Sequence, residues 1–281
     1  MHVDLHLHTT ASDGRFTPTE LVTFAGNRGM RIIAVTDHDS TEGLAEALDV
    51  AKSYPQLTII PGIELSTDIP RNEVHILGYF MDYHNPSFQE KLEEFREART
   101  DRGERMVEKL ASLGIHISWE RVLEIAQGGS VGRPHVAQAM LEGGYITSIS
   151  EAFDRYIGRN GPAYADRHKM TPPEAIAFLK GYGGVAVLAH PKDILENLDP
   201  ILDDLQGAGL VGMEVHYQGY PPELVADLLA NAESRGLIPC GGSDFHGMGA
   251  RDEFKPGDVD VPIESAQRLM AVAQEVRRTA R

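Results

Sequence analysis

Seven short runs of apolar, largely β-branched residues punctuate the chain, and six of them carry a histidine or an acid at or near the carboxyl end. The runs are Val3–Leu7, Arg31–Val35, Leu57–Ile60, Val74–Tyr79, Val185–Leu188, Leu210–Val215 and Leu237–Cys240. They alternate with helical patterns, which predicts βα units around a mostly parallel sheet. Thr17-Pro18-Thr19-Glu20 and Thr171-Pro172-Pro173-Glu174 each offer a capping threonine, a proline in the first turn and a glutamate that closes a capping box. The alternation breaks between residues 86 and 170. There the pattern predicts one long, charged helix over Phe88–Leu113 and shorter ones over Trp119–Ala126, Pro134–Glu142 and Ile149–Tyr156. We therefore expect a barrel built from residues 1–85 and 171–281, with a helical subdomain, 86–170, inserted after its fourth strand. The tail, Ile263–Arg281, is expected to form a closing helix.

The polar residues at the run ends are chemically consistent. The first run holds His6-Leu7-His8, followed by Asp13, and the second leads into Thr36-Asp37-His38-Asp39. Gly62-Ile63-Glu64 follows the third, the fourth carries His75, Ala189-His190-Pro191 follows the fifth, and Ser243-Asp244-Phe245-His246 follows the last. Barrel enzymes build their sites from the carboxyl ends of strands. Alternate strand residues share a face, so His6 and His8 can turn into one mouth, as can Asp244 and His246. Imidazole with carboxylate suits zinc, manganese or iron. Six histidines (His6, His8, His38, His75, His190, His246) and three carboxylates (Asp13, Glu64, Asp244) exceed one ion's needs and fit two or three, an arrangement that clamps both oxygens of a phosphoryl displacement. Asp37 and Asp39 are expected to orient ligands rather than bind metal. His2, His84, His116 and His168 lack such a context and are read as surface or structural residues; His216 follows the sixth run and could face the mouth, but is read as structural too. Cys240 is read as buried packing.

Composition narrows the ligand. With 42 acidic and 26 basic residues the net charge is −16, which argues against an extended nucleic-acid surface but not against a small anion at a local cationic site. A single cysteine allows no internal disulfide, and no apolar stretch is long enough for a membrane helix. The amino terminus has no signal-peptide pattern, so a cytoplasmic location is expected.

The ordered motifs HLH (6–8), Asp13, TDHD (36–39), GIE (62–64), His75, AHP (189–191) and SDFH (243–246) resemble those of the polymerase and histidinol phosphatase (PHP) superfamily over nearly the whole chain. The resemblance implies an α/β fold, a distorted (β/α)7 TIM-like barrel. It also implies a metal-dependent phosphoesterase with one ion on His6, His8, Glu64 and Asp244, a second on Asp13, His38 and His246, and a third on Glu64, His75 and His190. Within the superfamily the chain looks most like the branch acting on nucleoside 3′,5′-bisphosphates and the 5′ ends of short RNA. Two features of the insertion support that branch: Gly132-Arg133-Pro134-His135, and the Gly-rich stretch from Gly158 to Tyr164 that contains Arg159. Matching arginines there hold a second phosphate, which guanidinium chemistry suits. Arg133 and Arg159, with His135 behind them, are thus the expected substrate-binding residues. The expected reaction is attack on a 5′-phosphate by metal-activated hydroxide. Hydrolysis of another small phosphomonoester, such as histidinol phosphate, and a non-catalytic, metal-stabilised accessory module are the alternatives.

Overall fold

The computed structural model describes residues 2–70, 72–249 and 253–279. Seven strands form one sheet in chain order: β1 (His2–Asp4), β2 (Met30–Val35), β3 (Thr58–Ile69), β4 (Asn72–Tyr79), β5 (Val185–Leu188), β6 (Gly212–Tyr217) and β7 (Ile238–Gly242). The sheet curls until its edges meet. Leu5 N–H donates to Gly241 O at 3.1 Å, and His8 N–H to Phe245 O at 3.0 Å. The result is a nearly closed, distorted barrel, as expected from the seven runs.

Alternation along the strands divides the core. Ile32 and Ala34 of β2, and Val185 and Val187 of β5, join one hydrophobic cluster with Leu5, Tyr79 and Cys240. Their neighbours Ile33, Val35, Ala186 and Leu188 belong to another, shared with the surrounding helices. Those helices include α1 (Pro18–Asn27), α2 (Leu44–Ala51), α7 (Pro172–Gly181), α8 (Leu198–Ala208) and α9 (Pro222–Ser234). Both predicted capping boxes form: Glu20 binds back to Thr17, and Glu174 to Thr171. The closing helix α10 (Ile263–Thr279) sends Ala266, Leu269 and Ala273 into the first cluster. No helix among the described residues is long and apolar enough to cross a membrane.

One strand departs from the expected pattern. β4 runs antiparallel to both β3 and β5, so its amino-terminal half, not its carboxyl end, lies beside the active mouth. His75 sits in that half, opposite Ser66 of the long β3. The reversal follows from the short β3–β4 connection, since a tight hairpin can join only antiparallel strands.

Between β4 and β5 lie α3 (Pro86–Ser112), α4 (Trp119–Ala126), α5 (Arg133–Glu142) and α6 (Ile149–Ala152), which passes into a π-turn at Phe153–Ile157. Met106, Leu110, Val122, Val136 and Met140 form a separate hydrophobic cluster there. Phe88, Leu92 and Phe95, in the first turns of α3, pack instead with the barrel's outer layer.

Candidate metal centre

The barrel mouth brings all nine predicted donors together. Three groups have donor atoms within 4.8 Å of one another: His6, His8, Glu64 and Asp244; His8, Asp13, His38 and His246; and His38, Glu64 and His75. His190 joins at the edge of the last, its Nε2 3.1 Å from Glu64 Oε1. Compared with the ligand sets implied by resemblance, His8 stands near a second group and His38 near a third. His2, His84, His116 and His168 are exposed and lie outside these groups, and His216 is likewise not part of them.

The donor spacing fits metal ions. Glu64 Oε2 lies 3.3 Å from His6 Nε2 and 3.3 Å from His8 Nε2, while Asp244 Oδ1 lies 3.2 and 3.0 Å from the same nitrogens. Ligands about 2.0–2.2 Å from one ion are themselves roughly 3.0–3.6 Å apart in octahedral or tetrahedral arrangements. Yet His6 Nε2, His8 Nε2, His38 Nδ1, Glu64 Oε2, Asp13 Oδ1 and Asp244 Oδ1 are buried without a hydrogen-bond partner among the described residues. Buried polar atoms rarely stay unpaired, and a converging set of them is what a cation would satisfy.

Supporting contacts aim these donors. His6 Nδ1 lies 3.1 Å from Glu214 Oε1, so the carboxylate holds the proton on Nδ1 and turns the Nε2 lone pair inward. The other oxygen of Glu214 accepts from His190 N–H at 2.8 Å. Tyr217 O–H donates to Asp244 Oδ2 at 2.6 Å. Asp37 ties down the loop before Asp13 by accepting from Thr9 N–H (2.7 Å) and Ser12 O–H (2.6 Å). Gly242 must lack a side chain, because a Cβ there would meet His6 Cβ at 2.6 Å. Asp39 (φ 50°), His190 (φ 22°) and Asp244 (φ 49°) all adopt positive-φ backbone, uncommon for non-glycine residues and more often found at functional sites.

Electrostatics favour metal uptake by proton exchange. Burial would lower both histidine pKa values, but Glu64 lifts that of His75 to about 9, and Asp13 and Asp244 lift that of His246 to about 10. Burial and the neighbouring His246 instead push His8 down to about 3. Both raised groups are protonated at pH 7 in the metal-free chain. Their ion pairs therefore stabilise it fully below about 6.5, and that contribution is lost as pH rises toward 9–10. A metal requires neutral imidazole, so its binding must expel these protons. Calorimetric Mn2+ titrations at pH 7 in buffers of different ionisation enthalpy should show net proton release, with affinity climbing between pH 6.5 and 8.5. Buffer-independent heats and a flat profile would contradict this.

Beside the donors stands a cationic wall. Arg99 and Arg167 pair with Asp39 at 2.6 and 2.9 Å. Arg133 binds Glu73 at 2.6 Å, Arg159 binds Asp68 at 2.9 Å, and Lys169 reaches both carboxylates, at 3.1 Å to Asp68 and 2.7 Å to Glu73. Asp68 and Glu73 face each other across the β3–β4 hairpin, a like-charge pair that these cations compensate. Asp39 thus serves the cations rather than the metal donors. His135 is buried and accepts from Gly132 N–H through Nδ1 at 3.0 Å, which caps α5. Sequence reasoning passed over Glu214, Arg99, Arg102, Arg167 and Lys169. Glu214 was visible as a lone acid in an apolar strand; the arginines of α3 looked like any charged helix surface.

A barrel with its catalytic mouth lined by histidine and carboxylate donors, flanked by arginines, defines a metal-dependent phosphoesterase. The chain belongs to the PHP domain family, whose model matches residues 4–159. It is 32% identical to a 3′,5′-nucleoside bisphosphate phosphatase of Chromobacterium violaceum over 260 residues, 89% of this chain and 90% of the relative. It is 35% identical to the 5′-3′ exoribonuclease Rnm of Salmonella typhimurium, over 86% of this chain and 84% of that one. A phosphoribosyl 1,2-cyclic phosphate 1,2-diphosphodiesterase of Eggerthella lenta is 31% identical over 88% of this chain and 95% of its own length. Among solved structures, a metal-dependent phosphoesterase from Bifidobacterium adolescentis superposes with a TM-score of 0.86 at 33% identity, covering 96% of this chain and 95% of that one.

Proposed function

We propose that this chain hydrolyses the 5′-phosphate of nucleoside 3′,5′-bisphosphates and of short 5′-phosphorylated RNA. The observation that carries the reading is the charge balance beside the metal donors. Six cations (Arg99, Arg102, Arg133, Arg159, Arg167, Lys169) meet three carboxylates there (Asp39, Asp68, Glu73), an excess of three in a chain of net charge −16. That excess suits a substrate carrying a second phosphate beyond the one at the metals. The metal donors come from the barrel and all six cations from residues 86–170, so we assign substrate recognition to that helical segment. Relatives named for a bisphosphate phosphatase and for an exoribonuclease support the same substrate class.

Two or three divalent ions held by His6, His8, Asp13, His38, Glu64, His75, His190, Asp244 and His246 would supply an activated water and neutralise phosphoryl charge. Manganese, zinc or iron suits this donor set. The chain's own part is positional. Glu214 keeps His6 in one tautomer, Tyr217 orients Asp244, and Arg133 and Arg159 exchange Glu73 and Asp68 for phosphate oxygens. In the reaction a P–O bond forms to the water oxygen and the P–O bond to the 5′ oxygen breaks. The water's proton ends on the released alcohol.

Initial rates of the Mn2+-loaded protein on adenosine 3′,5′-bisphosphate, 5′-phosphorylated oligoribonucleotides, histidinol phosphate and a ribosyl cyclic phosphate test this reading. We expect the highest kcat/KM on the first two. Preference for either of the others overturns it, and hydrolysis of none would favour a non-catalytic role.

A further inference from the structure

Arg102, on α3, is the one member of the cationic wall with no counterion. It is 4% exposed and makes no hydrogen bond or ion pair among the described residues, and its Nε is buried without a partner. The carboxylates around it are already engaged: Asp39 by Arg99 and Arg167, Glu73 by Arg133 and Lys169, Asp68 by Arg159 and Lys169. An unpaired guanidinium out of water is strongly unfavourable, and folding alone gives no reason to keep it. The like charges of Arg99, Arg167 and Arg133 add to burial in disfavouring its protonated form.

The cavity it faces indicates what offsets that cost. Arg99, Arg102 and Arg133 line a space of about 180 Å³ together with Glu73 and the donor candidates Asp13, His38, His75 and His246. A tetrahedral oxyanion seated there would share one small space with the donor candidates and the guanidinium groups. We propose that Arg102 is a phosphoryl-binding residue that grips the non-bridging oxygens of the phosphate undergoing hydrolysis. Arg133, which also borders a neighbouring cavity of about 170 Å³ beside His190, is left to reach the second phosphate. The proposal deepens the substrate reading above and rests on it for the identity of the phosphate.

The test uses the Mn2+-loaded full chain with Arg102→Met and Arg102→Lys. Inorganic phosphate affinity, measured by calorimetry, should fall roughly 10- to 100-fold in Arg102→Met, the usual worth of a hydrogen-bonded charge. The kcat/KM values for adenosine 3′,5′-bisphosphate and for adenosine 5′-monophosphate should fall by similar factors, and added guanidinium should restore part of both. Without phosphate, the methionine variant should melt at or above wild type, since a buried uncompensated charge has been removed. Unchanged phosphate affinity overturns the proposal. So does a loss confined to the bisphosphate, which would put Arg102 on the second phosphate, or a large drop in Tm of both variants, which would make it structural. If wild type prefers another phosphomonoester to the bisphosphate while phosphate binding and turnover of that ester still depend on Arg102, the substrate reading fails and this one stands.

Discussion

Replacing Glu64 by glutamine should abolish metal retention and lower kcat/KM by about 10³-fold or more. One carboxylate here touches five histidines. Its Oε2 lies 3.3, 3.3 and 3.0 Å from His6, His8 and His38, and its Oε1 lies 2.7 and 3.1 Å from His75 and His190. Among the described residues, no other carboxylate is shared by two of the donor groups. Burial would raise its pKa, but His38, His75 and His6 hold it well below the usual carboxylate range, so it stays ionised. Glutamine keeps the shape and removes the charge along with one acceptor. Losing a carboxylate shared by two donor groups would forfeit several kcal/mol of charge stabilisation at the reacting phosphate, which corresponds to a loss on the order of 10³-fold. Metal content by elemental analysis and steady-state rates give the answer. Because a buried histidine cluster stripped of its carboxylate also costs stability, Glu64→Asp serves as a charge-preserving control for folding. A glutamine variant that keeps its full metal complement and more than a tenth of the activity would remove Glu64 from the centre.

Glu214→Gln should weaken metal binding and activity by about 10- to 100-fold, the usual consequence of disturbing the partner of a metal-bound histidine. Glu214 is fully buried and uses each oxygen on a different donor: His6 Nδ1 on one, His190 N–H on the other. Glutamine has one carbonyl oxygen, so its amide N–H2 must confront one of those donors. Either the tautomer of His6 or the left-handed turn at His190 is released. The effect is distinguishable from simple unfolding, because excess Mn2+ should recover most of the activity. Failure of metal to rescue, or a change of less than twofold, would show that Glu214 does not orient the site.

Much of this centre was legible from residue types alone. His6 and His8 on one strand face, with acids and histidines after five other runs, point to a shared mouth because strand periodicity leaves few alternatives. His75 was legible as a residue but not as a position. It reaches the mouth only because β4 is reversed, and local sequence does not encode strand direction beyond the shortness of the β3–β4 turn. Arg133 and Arg159 announced themselves through glycine-rich surroundings. Arg99 and Arg102 did not, since a helix as charged as α3 looks the same whether its arginines meet water or a cavity, and Arg167 and Lys169 did not because they lie in an irregular stretch without a motif.

The sequence by itself pointed to the candidate donor set and to the barrel, since both follow from short-range rules: alternation in strands, capping at helix starts, and the affinity of imidazole and carboxylate for divalent ions. Only the tertiary structure decided how that set is divided and what surrounds it. His8 and His38 each came to stand between two donor groups, and Glu214 became the residue that aims His6. The six cations came together at the mouth because residues far apart in the chain were packed against the β3–β4 hairpin. Burial is the physical reason. The pairing and pKa of a charge depend on which neighbours replace water, and those neighbours exist only once the chain has folded.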